Sequence, residues 1–508
     1  MSFSKPNLQL PLAVSYNNRG ISQNNVFTTG LDQRKINCIY EPVANAVSGG
    51  TTLYLAKRPG VTVYNGTYGS ASQTAYLAAW VPDPDSRSSF DGTQACVFSE
   101  LSDDQRCSND TGTVVIENIA NYAPAHWRIT AISNVPTMVL QLQSITVGGV
   151  SAQRVWYSND IQASNGGTWA RITDADFPGS AAIGAMEHMD GFAFIAAQGT
   201  GFIHNSDINS LANWQAQNKI RKQIVEDEVL GLAKIGKRLV CLGYETMEVF
   251  GNAGNPTGSP LVTIPDLFAK VGLARAPLST QSNGDYYCVL GDSMYWVGRP
   301  LGRRHTSGSG LYRFNGNGKP VKVSSQAMDK LLSGDTICSV NAVNLFGKQA
   351  VALMRTTIGS STPKWLIYFP EWNDWFEWES TVFSPINNGN FFLGVDDSKL
   401  YVFGGSDTWQ DNTTDYTMTV QFMLPKDGNH RKRMPMCGVA GDTARSASSL
   451  NVEFSDDDYQ NFSTARAIDM TSQQKMLARC GSFRTRAVRL THTGNLDCRI
   501  EKFLARIE

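Results

Sequence analysis

The chain alternates short apolar runs with polar turns from one end to the other. Residues 231–250, GLAKIGKRLVCLGYETMEVF, set out the unit most clearly. A polar turn at 234–237 precedes an apolar run at 239–242, and a turn at 243–245 leads into 246–250, where apolar and polar residues alternate. Continuous apolar runs mark strands covered on both faces, and alternation marks strands covered on one. The unit is therefore a hairpin with one buried and one half-buried strand. Similar phrases recur at 286–297, 391–403 and 189–204, an interval of roughly 40 to 60 residues that suits β-propeller blades. One blade leaves both faces of a small sheet open, so several must stack around an axis.

The pattern predicts an all-β chain: a β-propeller core with an inserted small β module and a C-terminal β-sandwich-like region. Residues 1–40 read as an N-terminal arm or edge strand, 41–410 as the propeller with an insertion at about 65–153, and 411–508 as the sandwich-like region. Strand, turn and strand are expected at 52–56, 57–60 and 61–64, with Pro59 and Gly60 setting the turn. Short strands at 113–119, 127–132, 138–145 and 154–157 read as a small separate sheet. Helix signals are scarce, and the best is at 325–332, with a Ser start, a short amphipathic stretch and Gly334 beyond its end.

Three turns resemble the Asp-box, a strand followed by Ser-x-Asp-x-Gly-x-Thr-Trp. Ser158, Asp160, Gly167 and Trp169 make the best copy; Ser206, Asp207 and Trp214 a degenerate one; Ser455 and Asp456 a third. Short polar side chains bond the backbone of a tight turn while an aromatic packs beneath it, so these are read as structural fasteners. The Trp-rich turn at Trp372, Trp375 and Trp378 reads as blade core, with a sugar platform as the alternative.

Composition narrows the function. Lys plus Arg number 44 against 45 Asp plus Glu, a net charge of -1, whereas a general polyanion binder is strongly basic. The nine cysteines lie far apart with no CxxC, as buried free thiols of a protein made in a reducing compartment do. No apolar run approaches the length that crosses a bilayer, and no charged-then-apolar leader opens the chain. The six histidines are scattered, with none at i,i+4, so neither a metal nor another cofactor is expected. There is no G-x-S-x-G elbow and no GxxxxGK[ST] loop. Glu371, Asp374 and Glu377 are the nearest approach to a glycosidase carboxylate pair; no residue is assigned as catalytic.

The central stretch, Val240-Cys241-x-Gly243-x-x-Thr246-x-Glu248-x-Phe250, resembles the hairpin of the tail nozzle proteins of short-tailed bacteriophages, also called tail accessory factors or packaged-DNA stabilisation proteins. The turn Pro59-Gly60-Val61, Gly272-x-Ala274, Arg479-x-Gly481-x-x-Arg484-x-Arg486 and the ending Arg506-Ile507-Glu508 agree in order. The resemblance implies a non-enzymatic virion protein, made in the host cytoplasm, that forms a homohexameric ring at the end of the phage tail. Such a ring docks on the head-to-tail adaptor, continues the DNA channel, and meets a needle, plug or spike/fibre protein. Contact with passing double-stranded DNA is transient and non-specific, which a near-neutral wall favours because each added cation adds a phosphate contact. Basic loops are the candidate adaptor or channel contacts: Arg303 and Arg304 in a Gly/Ser-rich turn, and Arg431, Lys432 and Arg433. The alternative is an Asp-box propeller that binds or cleaves host-surface glycans, sialidase-like or lectin-like.

Overall fold

The structure, a computed structural model, describes residues 8–12, 33–44, 51–67, 74–82, 93–101, 104–109, 112–118, 122–132, 135–144, 153–159, 167–178, 183–197, 199–274, 286–300, 309–325, 328–329, 331–332, 335–345, 347–357, 364–379, 383–385, 391–394, 399–403, 408–425 and 430–508. The described chain is built from small antiparallel meanders. Ile183–Met189, Phe192–Ala197, Phe202–Ser206 and Trp214–Arg221 form one sheet, and Val229–Ile235, Arg238–Gly243, Met247–Asn252 and Leu261–Thr263 the next. Val271–Leu273, Tyr287–Leu290, Ser293–Pro300, Gly310–Phe314 and Val321–Lys322 make a third. Asp335–Leu345, Lys348–Thr357, Lys364–Phe369 and Asp374–Glu379 follow in the same up-and-down order.

Sheets packed face to face bury both sides of their strands, and that is why 239–242 is apolar at every position. Strand Met247–Asn252 departs from the expected half-buried pattern. Thr246 and Glu248 are as fully buried as Met247, Val249 and Phe250. Their polarity marks internal hydrogen bonding, not a solvent face, and the loop they hold is described below.

Successive sheets touch through early strands. Ile183–Met189 packs against Val229–Ile235, Val229–Ile235 against Tyr287–Leu290, and Tyr287–Leu290 against Asp335–Leu345. The stretch expected as an insertion carries meanders of the same kind. Thr74–Pro82, Thr93–Leu101, Asp104–Asn109 and Gly112–Asn118 form one sheet; Tyr122–Ile132, Val135–Ser144, Gln153–Ser158 and Ala170–Arg171 form another. The four strands expected as one separate sheet are thus divided between two, because Gly112–Asn118 pairs backwards with Asp104–Asn109. Thr74–Pro82 lies against Tyr122–Ile132, and Tyr122–Ile132 against Ile183–Met189.

The last meander is completed from the other end of the chain. Val61–Thr67 runs antiparallel to Lys399–Phe403, with Val61 opposite Phe403, and joins Phe383–Pro385 and Phe391–Gly394 in one sheet. The preceding strand, Thr51–Lys57, pairs elsewhere, with Cys38–Ala44 and Arg499–Arg506. The expected hairpin at Pro59-Gly60 is therefore a crossing between two sheets. Hydrophobic alternation locates both strands, but it carries no information on which distant strand each will pair with.

Beyond the meanders lies a two-layer β structure built from both chain ends. One layer contains Leu8–Pro11, Cys38–Ala44, Thr51–Lys57, Arg499–Arg506, Met436–Gly441 and Met476–Ala478. The other contains Gln33–Ile36, Met418–Met423, Ala487–His492, Ser449–Ser455 and Arg466–Asp469, and continues through Ile36 and Glu377 into the sheet of Asp374–Glu379. One apolar cluster fills the space between, running from Phe422, Val488, Leu490 and Phe503 to Trp365, Phe369 and Trp378 of the adjoining meander. The helix signal at 325–332 holds in part: Met328, Asp329, Leu331 and Leu332 are helical, with the Met328 N–H donating to Ser325 Oγ at 3.4 Å.

Candidate functional site

The motif residues of the central hairpin converge on the loop that precedes them. Asp227 lies between Trp214–Arg221 and Val229–Ile235, and its carboxylate accepts from the backbone N–H groups of Tyr244, Glu245 and Thr246 at 3.0, 2.9 and 3.1 Å. Thr246 Oγ1 donates to the same carboxylate at 3.0 Å. The buried Lys222 ammonium joins it at 3.1 Å and reaches Thr246 Oγ1 at 2.6 Å. Burial alone raises the Asp227 carboxyl, but the backbone bond from Glu245, the Lys222 charge and the hydroxyl of Thr246 outweigh it and hold the group below its usual range.

Glu248 does the same for the other half of the loop, accepting from the N–H groups of Gln223, Ile224 and Val225 at 3.0, 3.2 and 3.2 Å. These are donors that an irregular segment leaves without strand partners. Gly243 is required by space, since a Cβ there would sit 2.2 Å from Asp227 Oδ2 and 2.3 Å from Lys222 Nζ. At Gly272 a Cβ would sit 2.3 Å from the Tyr244 carbonyl, and Arg299 stacks at 4.1 Å over the Tyr244 ring. The spacing Gly243-x-x-Thr246-x-Glu248 and the later Gly272 thus describe one clamp. Sequence reasoning missed Asp227 and Lys222, which lie outside the hairpin and carry no motif of their own.

The Asp-box-like turns are also fasteners. Ser206 Oγ accepts from the Ala193 N–H at 3.0 Å and donates to the Asp207 carbonyl at 2.9 Å. Asp207 Oδ1 accepts from Gln215 and Asn218. Trp214 is buried, its indole N–H donates to the Leu211 carbonyl at 2.8 Å, and Phe177 meets it edge to face. In the first copy Ser158 is buried and Gly167 takes φ 78°, with Trp169 half-buried; Asp160 lies outside the described residues. In the third, the residue that closes the turn is Asp457, one position beyond the expected Asp456. Asp457 accepts from Ser455 Oγ and the Asn461 N–H, and the bonds from Asn461 hold its carboxyl down at about 2. Asp456 instead forms a bidentate pair with Arg486 at 2.7 Å, the Arg486 guanidinium stacking on Phe454 and Phe483. That pair accounts for the last arginine of the C-terminal motif.

The three acidic residues of the Trp-rich turn are each held by a cation. Asp374, fully buried, accepts from Lys35 and from Tyr40; Glu377 forms a bidentate pair with Arg34 at 2.8 and 2.9 Å; Glu371 meets Lys348 at 2.8 Å. Burial pulls the Lys35 ammonium below its usual range in spite of Asp374. Trp375 and Trp378 are buried, Trp378 donating its indole N–H to the Cys38 carbonyl at 2.9 Å. Trp372 packs on Phe369 and Tyr40. Trp375 and Trp378 are core and Trp372 packs half-buried against it; Asp374 and Glu377 tie the meander to the two-layer region, while Glu371 pairs within the meander.

Among the basic candidates, Arg431 and Arg433 are exposed, while Lys432 is buried opposite Phe483. Alternation along the short strand Lys432–Arg433 turns that one side chain inward, so it is not part of an exposed basic run. The Arg433 backbone pairs with Glu508 at 2.8 Å in both directions. Arg303 and Arg304 lie outside the described residues. Among the described residues no group of three or more His, Cys, Asp or Glu is placed to hold a metal ion. No described helix is long and apolar enough to cross a membrane.

Meanders that stack through early strands, the last closed by a strand from the N-terminal end, define a β-propeller. Residues 112–347 match the family described as Bacteriophage P22 Gp10, beta-propeller, the phage stabilisation family, which bears out the resemblance read from the central hairpin. Sequence comparison finds no match among curated proteins. Similar solved structures include an oligogalacturonate lyase with manganese (12% identity, 68% of this chain and 100% of that one, TM-score 0.32). A prolyl endopeptidase is another (11%, 73% and 55%, 0.38), as is PorZ of Porphyromonas gingivalis (9%, 71% and 45%, 0.33). Likenesses this distant say nothing about activity.

Proposed function

We propose that the protein is a structural, non-enzymatic subunit of a bacteriophage tail, six copies of which form the nozzle ring. The ring docks on the head-to-tail adaptor, continues the DNA channel, retains the packaged genome and meets a needle, plug or spike/fibre protein distally. The observation that carries this reading is the family match over 112–347, which takes in the central hairpin and its clamp. Two further features support it. The polar side chains that sequence offers as catalytic are spent on holding loops and sheets together, as suits a wall that must stay rigid. The balance of 44 basic against 45 acidic residues leaves little net attraction to slow passing DNA.

In the same reading the two sheets formed by strands between residues 74 and 171 are blades of the ring. With the four meanders that follow them and the sheet closed by Val61–Thr67, they make a seven-bladed propeller. Arg431 and Arg433, beside the C-terminal Glu508, are the proposed contacts with a partner ring or DNA, as are Arg303 and Arg304.

The test is the mass and shape of the purified protein, by light scattering after size exclusion and negative-stain imaging of the same peak, alone and with the adaptor. Rings of six subunits with a central hole support the nozzle. A monomer that stays monomeric with the adaptor present overturns it. Reversing the charge of Arg431 and Arg433 together weakens adaptor binding without changing the fold; normal assembly of that variant removes this loop from the interface.

A further inference from the structure

Two cysteines distant in sequence meet in the apolar core between the layers of the C-terminal region. Cys437 lies on Met436–Gly441, and Cys480 lies in the turn before Ser482–Phe483. Their sulfurs are 3.5 Å apart and both residues are buried. Around Cys480 the chain is tightly held: its N–H donates to the Met434 carbonyl at 3.1 Å, and its own carbonyl accepts from Arg486. The Arg466 guanidinium lies 3.9 Å from Cys480 Sγ and is fixed there by bonds to the carbonyls of Ala478 and Arg479 at 2.6 and 3.1 Å.

We propose that Cys437 and Cys480 are a redox site that hydrogen peroxide converts into a disulfide, clipping the strand Met436–Gly441 to the Cys480 turn. Cys480 is the attacking sulfur. A thiolate is the reactive form of cysteine, and a neighbouring cation and a thiol donor both favour it. The Cys437 bond and the Arg466 charge, against the opposing effect of burial, bring Cys480 down to about 7, whereas Cys437 is raised. Elsewhere burial dominates: Cys241 and Cys498 are pushed up to about 12, and Cys38 is raised as well. Of these buried thiols, the pair is the one prepared to react.

The chemistry balances in two steps. The Cys480 thiolate attacks one oxygen of the peroxide, the O–O bond breaks, and hydroxide leaves to be protonated as water, giving a sulfenic acid on Cys480. Cys437 then attacks that sulfur, losing its proton as the S–O bond breaks and a second water leaves. Two thiols are oxidised and one peroxide is reduced to two waters. The sulfurs must close from 3.5 Å to about 2.05 Å to form the bond. A reducing compartment keeps both thiols free, and an oxidising one closes the clip.

The test uses the full-length protein, treated with dilute hydrogen peroxide, denatured, alkylated and mapped by mass spectrometry. The expected result is a cross-linked pair of peptides carrying Cys437 and Cys480, lighter by two hydrogens than the separate thiols and released by dithiothreitol. The unfolding temperature rises on oxidation and falls back on reduction. In Cys437→Ser the reaction stops at a Cys480 sulfenic acid that dimedone traps, and in Arg466→Gln wild-type oxidation slows several-fold. Should Cys437→Ser fail to fold, the wild-type map still decides. Both cysteines alkylated after a dose that oxidises exposed methionines, or either one cross-linked to a different cysteine, overturns the proposal.

Discussion

Arg58 and Asp411 face each other in a fully buried bidentate pair, 2.8 and 2.6 Å apart, where the chain crosses between the propeller and the two-layer region. Two crossings run side by side there: residues 58–60 lead into the propeller, and 408–411 lead out of it. The Gly60 N–H donates to the Thr408 carbonyl at 2.9 Å, the Asn412 N–H to the Val61 carbonyl at 2.9 Å, and the Tyr416 hydroxyl to the Arg58 carbonyl. Arg58 lies 3.9 Å over the Tyr416 ring. A Cβ at Gly60 would sit 2.0 Å from the Gln410 carbonyl oxygen, so only glycine lets the strands approach this closely.

Breaking a buried ion pair by removing one partner strands the other charge. Asp411→Ala therefore lowers stability by about 3–5 kcal/mol, and adding Arg58→Met to it recovers a large part. Denaturant titration of the single and double variants checks this. A double variant no more stable than Asp411→Ala would show that packing, not the unpaired charge, sets the cost.

At the clamp, space decides. Gly272→Ala forces a methyl against the Tyr244 backbone and costs about 1–3 kcal/mol. At Gly236 nothing lies within 4 Å and φ is +59°, so Gly236→Ala costs only the left-handed strain, about 1–2 kcal/mol. Hydrogen exchange separates the two: Gly272→Ala speeds exchange of the Tyr244–Thr246 amides, and Gly236→Ala leaves them protected.

Asp227 carries a pH dependence. Its folded carboxyl titrates below the unfolded one, so it contributes stability above the ordinary aspartate value of about 3.9, and that contribution is lost as pH falls through the lower folded value. Asp227→Asn lowers stability at pH 7 and flattens its acid dependence below about pH 4. A wild-type slope retained in the variant would assign the acid sensitivity to other groups.

His492 acts higher on the scale. Buried beside Lys57 and bonded through Nε2 to Ser448 Oγ at 2.9 Å, it is brought down to about 4 by burial first and the Lys57 charge second. Its folded value lies below the unfolded one of about 6.5, so the neutral ring stabilises the fold above that pH, and the contribution is lost as pH falls from there toward 4. Replacing His492 with Gln removes this loss; the slope of the unfolding midpoint between pH 7 and pH 4 measures it.

The Trp-rich turn gives a direct choice between packing and recognition. Trp378→Ala removes a buried indole and costs about 3–5 kcal/mol, while binding to host polysaccharide is the same for wild type and variant. Loss of such binding with stability intact would restore the sugar-platform reading.

What was legible in the sequence follows from the range of each signal. Strand and turn are encoded by neighbours, so the all-β reading and the hairpin at 231–250 were plain. Gly243, Thr246 and Glu248 were visible as a spacing. Their cause was not, because Asp227 and Lys222 belong to another segment and satisfy backbone donors that no local pattern predicts. The turn read at Pro59-Gly60 is a crossing because pairing partners lie hundreds of positions away. Sequence does not separate Asp456, Asp457 and Asp458, which are chemically alike; only geometry shows Asp457 turned to the loop and Asp456 to Arg486.

The way the sheets are completed sets the order in which the protein can be made. Val61–Thr67 waits for Lys399–Phe403, and Leu8–Pro11 waits for Arg499–Arg506. On a ribosome adding roughly 5–20 residues per second, the earliest strands emerge first and spend most of synthesis with open edges. Such edges recruit other chains, so copies translated close together must be kept apart until residues 399–403 and 499–506 appear. A chain cut short before residue 499 leaves one of those edges open for good.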